Sequence, residues 1–416
     1  MTEKYYDIII IGSGMSGLYS AYNIQKMYPD ISFLILEKHH KQWIGGRTSN
    51  EMFYGVQVVT GAGIGRKDKN PLLIKLMDEL QIKYSDFVST MNYSKLFEPV
   101  DIMKIINLLK RQYVKHPELH NKTFKDFFIY CFDATLYKQF LISAGYTDYE
   151  NADLYETLYN YGMDDNKGGW SGLYIPWKKM VDELYNKIGK KHFRFSNNVV
   201  SINRIEKSPC LFEIKTDNNT TYHSNKIIVA TTITGIQQLV PGASNKNSLY
   251  QQIHGQPFLR LYAKFNKESA EVMKKYVTTY TIVPGPLQKI IPMDSNKGVY
   301  MIAYSDNSNA LVQKKYLKDT EKNREIYCAL VEESLGIPKG SLKILAMKDY
   351  FWSIGTHYYE PLKRNETRDV FVHKAQHPEN GILVVGEAVS RYQGWTEGAL
   401  ESVKSVLTKK WVKTEC

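Results

Sequence analysis

The sequence predicts an α/β chain with α+β elements: a Rossmann-like nucleotide-binding domain joined to a second domain of mixed sheet and helices. Three observations predict it. A strand, a glycine turn, a helix and a second strand follow one another within residues 7–36. A second strand–glycine–helix unit closes the chain at residues 382–407. Between them, long amphipathic helices and alternating strands interrupt the nucleotide-type pattern.

Asp7–Ile11 is a short run rich in β-branched residues, the pattern of a strand buried on both faces. Met15–Tyr28 carries Leu18, Ala21, Tyr22 and Ile24 at helical spacing, and Pro29 ends it. Ile31–Leu36 is the second strand. Helices are predicted over Pro71–Leu80, Ile102–Val114, Phe124–Phe132, Thr135–Ala144, Trp177–Ile188 and Lys318–Ser334. Strands are predicted at Phe193–Phe195, Val199–Ile205, Leu211–Thr216, Ile227–Ala230, Pro257–Phe265, Val299–Tyr304, Leu342–Phe351 and Ile382–Val385, before a last helix near Thr396–Leu407. Alternation over Pro257–Phe265 puts Leu259, Leu261, Ala263 and Phe265 on one face and Arg260, Tyr262 and Lys264 on the other.

A chain of 416 residues exceeds a single small core. The net charge of +11 comes from scattered lysines with no arginine-rich arm, which argues against a specific nucleic-acid partner. The 31 tyrosines read as compositional bias. Cys131, Cys210, Cys328 and Cys416 lie far apart, so neither a disulfide framework nor a metal site is expected. No signal peptide, membrane anchor or transmembrane run is read, and a cytoplasmic protein is expected. The oligomeric state is open, a homodimer among the options.

Gly12-Ser13-Gly14-Met15-Ser16-Gly17 stands between strand and helix. Gly12 permits the tight turn, Gly14 lets backbone approach a pyrophosphate, and Gly17 lets helix and sheet pack closely. The helix N-terminus offers N–H groups and positive potential to phosphates. Glu37, about 20 residues on, suits ribose hydroxyls and repels a 2′-phosphate. Lys38 follows it. Gly45-Gly46-Arg47 adds a backbone that can run against a ligand and a guanidinium for phosphate. At the far end, Gly386-Glu387 closes a strand and Gly394-Trp395-Thr396 opens a helix whose dipole can face an electron-rich ring.

These motifs resemble the flavin-containing amine oxidase family, which includes monoamine, polyamine and L-amino-acid oxidases. Gly12–Gly17, Glu37, Gly45–Arg47, Gly61-Ala62-Gly63-Ile64-Gly65, Val199–Ile202, Ile228–Thr231 and Gly386–Ser402 stand in the family's order. The resemblance implies an FAD-binding domain from residues 1–85, 170–240 and 376–416, and a substrate-binding domain from 86–169 and 241–375. It implies that Met15, Ser16 and Arg47 border the pyrophosphate and Gly61–Ile64 the flavin ring. The backbone of Val199 or Val200 would pair with adenine, Glu387 would hold the ribityl chain, and Thr396 and Ala399 would border the pyrimidine edge. The implied chemistry is hydride removal from carbon beside an amine nitrogen, with dioxygen as final acceptor and hydrogen peroxide as product.

Three positions depart from the family pattern. Arg260 stands where a lysine usually holds water at flavin N5, with Lys264 the possible substitute. Thr356 replaces the cysteine that links FAD covalently in some members, so FAD is expected to be non-covalent. Trp395 would form one wall of the substrate cage, and His357, beside Tyr358, would be the other wall, a base for the incoming ammonium, or only a packed core residue. An amino acid is the alternative substrate, its carboxylate paired with Arg66 or Arg260. An oxidised apolar substrate and a non-catalytic flavin scaffold are further alternatives.

Overall fold

The computed structural model describes residues 4–205, 208–363 and 366–413, without the side chains of residues 4, 165, 166 and 208–210. Cys210 (as a side chain) and Cys416 fall outside that description.

The first sheet grows from the predicted βαβ unit. Lys4–Ile11 pairs in parallel with Phe33–Leu36 on one side and with Thr221–Val229 on the other. Phe193–Arg194 extends it beyond Phe33–Leu36. Ile382–Val384 pairs in parallel with the end of Thr221–Val229, and Ser208–Thr216 and Val199–Ile205 complete the order antiparallel. The continuous apolar run is explained by the two cores. Ile8, Ile10, Phe33 and Ile35 pack under the Met15–Met27, Pro71–Glu79, Trp177–Ile188 and Thr396–Val406 helices. Ile9, Ile11, Leu34 and Leu36 face the opposite core, beside Ile233–Leu239 and Arg368–Gln376.

The second sheet has the order Ile344–Tyr359, Ile253–Phe265, Val299–Asp306, Lys289–Asp294, Tyr280–Ile282 and Met91–Tyr93. Only the last pair is parallel. The predicted faces of the central strand hold: Leu259, Leu261, Ala263 and Phe265 enter the core of the Lys267–Tyr276 and Glu321–Leu335 helices. The helices Ile102–Lys115, Phe124–Cys131, Ala134–Ala144 and Leu154–Tyr159 form a separate aromatic-rich core. Asp101, Thr123, Asp133 and Asp153 cap their N-termini through side-chain oxygens.

Several predicted strands are longer than the sequence suggested, and two of these border the site. Ile253–Phe265 starts before Pro257, with a bulge between Gln256 and Phe258 that accommodates the missing N–H. Ile344–Tyr359 runs straight through Gly355, where a Cβ would lie 2.2 Å from Phe258 Cβ. Gly355 therefore marks close approach of two strands, not a break. No described helix is long and apolar enough to cross a membrane.

Candidate active site

A cavity of about 2430 Å³ runs between the two sheets. The glycine turn forms one end of it, for reasons local to the backbone. Gly12 has φ +105°, and a Cβ there would meet Ala230 O at 2.4 Å. A Cβ on Gly17 would meet Gly12 O at 2.0 Å, so only glycine lets the helix sit this close to the strand. Gly14 differs: a Cβ there has nothing within 4 Å. Gly14 is the N-cap of Met15–Met27 and no side chain caps that helix. Its free first-turn N–H groups open where Gly14, Met15 and Ser16 line the cavity. Gly45 and Gly46 run alongside, with Gly45 N–H donating to Ser13 O at 2.9 Å.

The Trp395–Thr396 helix start repeats this arrangement at another wall. It too has no side-chain cap, and Trp395, Thr396 and Ala399 line the cavity. Glu397 in its first turn also lines the cavity and accepts from Leu72 and Leu73 N–H at 2.7 and 3.0 Å.

Glu37 is held by three donors. Ser13 N–H and Ser13 O–H reach one oxygen, both at 2.8 Å, and His39 N–H reaches the other at 2.8 Å. A carboxylate has about four acceptor positions, so capacity remains toward the cavity that Glu37 and Lys38 line. Glu37→Arg is expected to remove these three bonds and set a cation where an acceptor stood. On the expectation that Glu37 serves the ribose of an FAD, the variant should purify with less bound flavin than wild type, read from the visible absorbance-to-protein ratio; unchanged flavin content would refute that role.

Glu387 ties the two ends of the chain together. Arg47 Nη1 donates to it at 3.2 Å and to Gly355 O at 2.6 Å. His357 Nδ1 lies 2.8 Å from the other Glu387 oxygen, while His357 Nε2 accepts from Ile233 N–H at 3.1 Å. That pattern fixes the tautomer: Nδ1 carries the proton and Nε2 is the acceptor. Burial opposes ionisation of Glu387, but His357 and Arg47 outweigh it and hold the carboxyl below its ordinary range.

Several expected roles need correction. The His357 side chain is fully buried and both ring nitrogens are engaged, so it is neither a free base nor an open aromatic wall. Lys264 does not reach the cavity; its ammonium donates to Lys297 O. Four residues along a strand carry it roughly 13 Å past Arg260. Arg66 is committed to Asp68 at 2.9 Å and Asp164 at 3.0 Å, which removes it as the partner of a substrate carboxylate. Gly17 stands behind the turn, not on the cavity wall. Of the two valines, Val199 borders the cavity, while Val200 sits at a bulge outside the ladder.

Arg260 does line the cavity and is 4% exposed. Its Nε donates to Gly61 O at 2.6 Å, and a Cβ on Gly63 would lie 3.1 Å from Nη2. Arg260 thus braces the Gly61-Ala62-Gly63-Ile64 stretch, which lines the same wall. Its guanidinium also lies 4.1 Å from the centroid of Tyr304.

Sequence reasoning missed the chamber around Tyr304. Phe258 lies 5.0 Å from Tyr304 and Tyr146 lies 5.9 Å from it, nearly perpendicular at 88°. Lys289 Nζ is 4.2 Å from the Tyr304 centroid, and Asp148 lines the wall with Tyr146 and Tyr161. No local motif marks these residues: Phe258, Lys289 and Tyr304 lie on three strands, and Tyr146, Asp148 and Tyr161 on two connecting segments. Trp395 packs edge-on against Trp177 at 6.0 Å.

A family model described as flavin containing amine oxidoreductase matches residues 112–406, and one described as an NAD(P)-binding Rossmann-like domain matches residues 10–80. The chain belongs to the flavin-containing amine oxidoreductase family. An uncharacterised protein of Acanthamoeba polyphaga mimivirus is 21% identical over 97% of this chain and 93% of its own length. Among solved structures, wild-type putrescine oxidase bound to putrescine is similar, with a TM-score of 0.74 and 14% identity over 97% of this chain and 98% of that one. A triple mutant from the redesign of cofactor binding in putrescine oxidase aligns equally well, at TM-score 0.74 and 14% identity. In this amine oxidoreductase the two uncapped helix starts, at Gly14 and Trp395, open on one cavity.

Proposed function

We propose that this chain is an FAD-dependent oxidase of amines. The observation that carries the reading is the convergence of two uncapped helix N-termini, at Gly14 and Trp395, on one cavity that continues into the Tyr304 chamber. Open space beside Gly14, where any other residue would place a Cβ, fits a phosphate approaching the backbone. When bound, FAD supplies the two-electron acceptor for the C–H bond beside the amine nitrogen, the imine then hydrolyses to a carbonyl, and dioxygen ends as hydrogen peroxide.

The chain's own part is to hold and to orient. In this reading Met15 and Ser16 N–H groups face the pyrophosphate, Glu37 accepts from the ribose, and the Val199 backbone meets adenine. Arg47 neutralises phosphate charge while Glu387 fixes its position. Thr396 N–H and the helix start behind it stabilise negative charge on the ring edge they face. Arg260 holds Gly61–Ile64 against the opposite wall. Thr356 stands where a linking cysteine would be needed, and neither Cys131 nor Cys328 lines the cavity, which supports non-covalent FAD. Residues 1–85, 170–240 and 376–416 form the FAD-binding part, and 86–169 and 241–375 the substrate-binding part.

A second reading, an amino-acid oxidase, is favoured by Arg260. No carboxylate pairs with it among the described residues, and one side of its guanidinium borders the cavity. One experiment addresses both readings. Oxygen-free protein is mixed with putrescine, butylamine, 4-aminobutyrate and the L-amino acids, and flavin absorbance is followed. Bleaching by putrescine or butylamine supports the amine oxidase. Bleaching confined to carboxylate-bearing compounds, with at least tenfold more compound needed after Arg260→Met, supports the amino-acid reading. No bleaching by any of them overturns both and leaves a flavin scaffold.

A further inference from the structure

The cavity wall holds many acids, and nearly all are spoken for. Glu387 is tied to Arg47 and His357. Glu156 accepts from Arg391 at 2.9 Å, and Asp164 from Arg66 at 3.0 Å. Glu37 and Glu397 accept from backbone N–H groups. Asp148 differs. Its partner is a neutral donor, the Tyr161 hydroxyl, together with its own N–H. That leaves acceptor capacity on a carboxyl that lines the cavity.

Its position is fixed from several sides. Gln256 Nε2 donates to Asp148 O at 2.6 Å, pinning the backbone to the central strand of the second sheet. Neighbouring Thr147 donates through N–H and O–H to Asp306, at 3.0 and 2.7 Å. Gln288 fills another Asp306 position at 2.9 Å, so that acid is engaged and turned from the cavity. Tyr146 and Tyr304 stand beside Asp148 on the same wall, and the Lys289 ammonium lies over both rings, 2.8 and 4.2 Å from their centroids.

We propose that Asp148 is the base that receives the ammonium proton of the substrate. This rests on the amine-oxidase reading above. An amine arrives at neutral pH as R–NH3+, which has no lone pair to assist loss of hydride from the adjacent carbon. One N–H bond breaks and one O–H bond forms: R–NH3+ and the Asp148 carboxylate become R–NH2 and a carboxylic acid. No electrons pass to any other group in this step. The proton leaves to water when product departs.

The charges facing Asp148 suit it to the task. Burial and the nearby Asp306 carboxylate raise its pKa, Tyr161 and Lys289 lower it, and the balance is about 7. Tyr161 is pushed well above its ordinary value by burial and by Asp148, so it remains a phenol and a donor. A base poised there is unprotonated often enough to act and basic enough to hold a proton.

The test is the pH dependence of flavin bleaching by putrescine and butylamine in wild type, Asp148→Asn and Asp148→Glu. Asparagine keeps the acceptor for Tyr161 and loses the proton site. Wild-type rates should rise with pH through about 7, where Asp148 loses its proton. In D148N that limb should vanish, the rate at pH 7 should fall about 100-fold or more, and it should recover toward pH 10, where free amines deprotonate unaided. D148E should keep a limb near neutrality. An unchanged limb in D148N, or a loss equal at every pH, overturns the proposal. If wild-type flavin is not bleached, the oxidase reading fails by itself. Asp148 is then judged by calorimetric binding of putrescine at pH 8, expected to weaken at least tenfold in D148N; equal binding, or no binding to wild type, overturns it.

Discussion

Glu387→Leu is expected to cost about 3 kcal/mol of folding stability, measured by urea denaturation of the flavin-free protein. The residue is 7% exposed and joins a histidine from the second sheet to an arginine that follows the first βαβ unit. Leucine would leave the His357 Nδ1–H buried without an acceptor, at about 1–3 kcal/mol. It would also leave the Arg47 cation facing apolar surface, although Arg47 is 28% exposed and can turn partly to water. Glu387→Gln keeps one acceptor and should lose less than half as much. A pH dependence follows. The folded carboxyl is held below the ordinary value of 4.5, so the unfolded chain binds its proton more tightly. The stabilisation is therefore complete above about pH 5 and is lost as pH falls through 4.5 toward the folded value. Glu387→Leu should flatten that acid limb; a variant as acid-sensitive as wild type would refute the assignment.

Gly17→Ala and Gly14→Ala should separate folding from flavin binding within one turn. A methyl at Gly17 would sit 2.0 Å from Gly12 O and 3.4 Å from Ala230 Cβ, and backbone cannot yield as a side chain would. Forcing the helix off the strand should cost about 3 kcal/mol. Gly14 has φ −70°, which any residue adopts, and a methyl there meets no protein atom within 4 Å. Gly14→Ala should leave flavin-free stability within about 0.5 kcal/mol of wild type. Its methyl projects into the space proposed for the pyrophosphate, so flavin retention should fall at least tenfold in dissociation constant. Equal flavin affinity in G14A would move the phosphates elsewhere. Wild-type stability in G17A would mean that helix and sheet pack more loosely than the structure has them.

The sequence was legible wherever a constraint is local. The Ile8–Ile11 run, the glycine spacing and Glu37 all lie within one βαβ unit, where chain connectivity alone brings strand, turn and helix together. The Trp177–Ile188 helix was read to its ends because its apolar residues repeat at helical spacing. The face assignment of Leu259, Leu261, Ala263 and Phe265 followed from the period of a strand. The same period misled at Lys264. It shares a face with Arg260, but alternation gives the face and not the distance along it, and the cavity ends first.

The Met91–Tyr93 and Tyr280–Ile282 strands of the second sheet escaped notice because three residues carry no period. The strand predicted to end at Phe351 runs on to Tyr359 because Gly355 admits the close approach of Phe258, nearly a hundred residues away in the chain.

By itself, then, the sequence determined the nucleotide-binding turn, both glycine-rich ends of the cavity and the family to which they belong. Those features depend on backbone conformation, which short stretches of residues dictate. Only the tertiary structure decided the state of His357, the commitment of Arg66 and the standing of Asp148. Each depends on which donors, acceptors and charges stand across from it, and those come from distant segments that packing alone brings together.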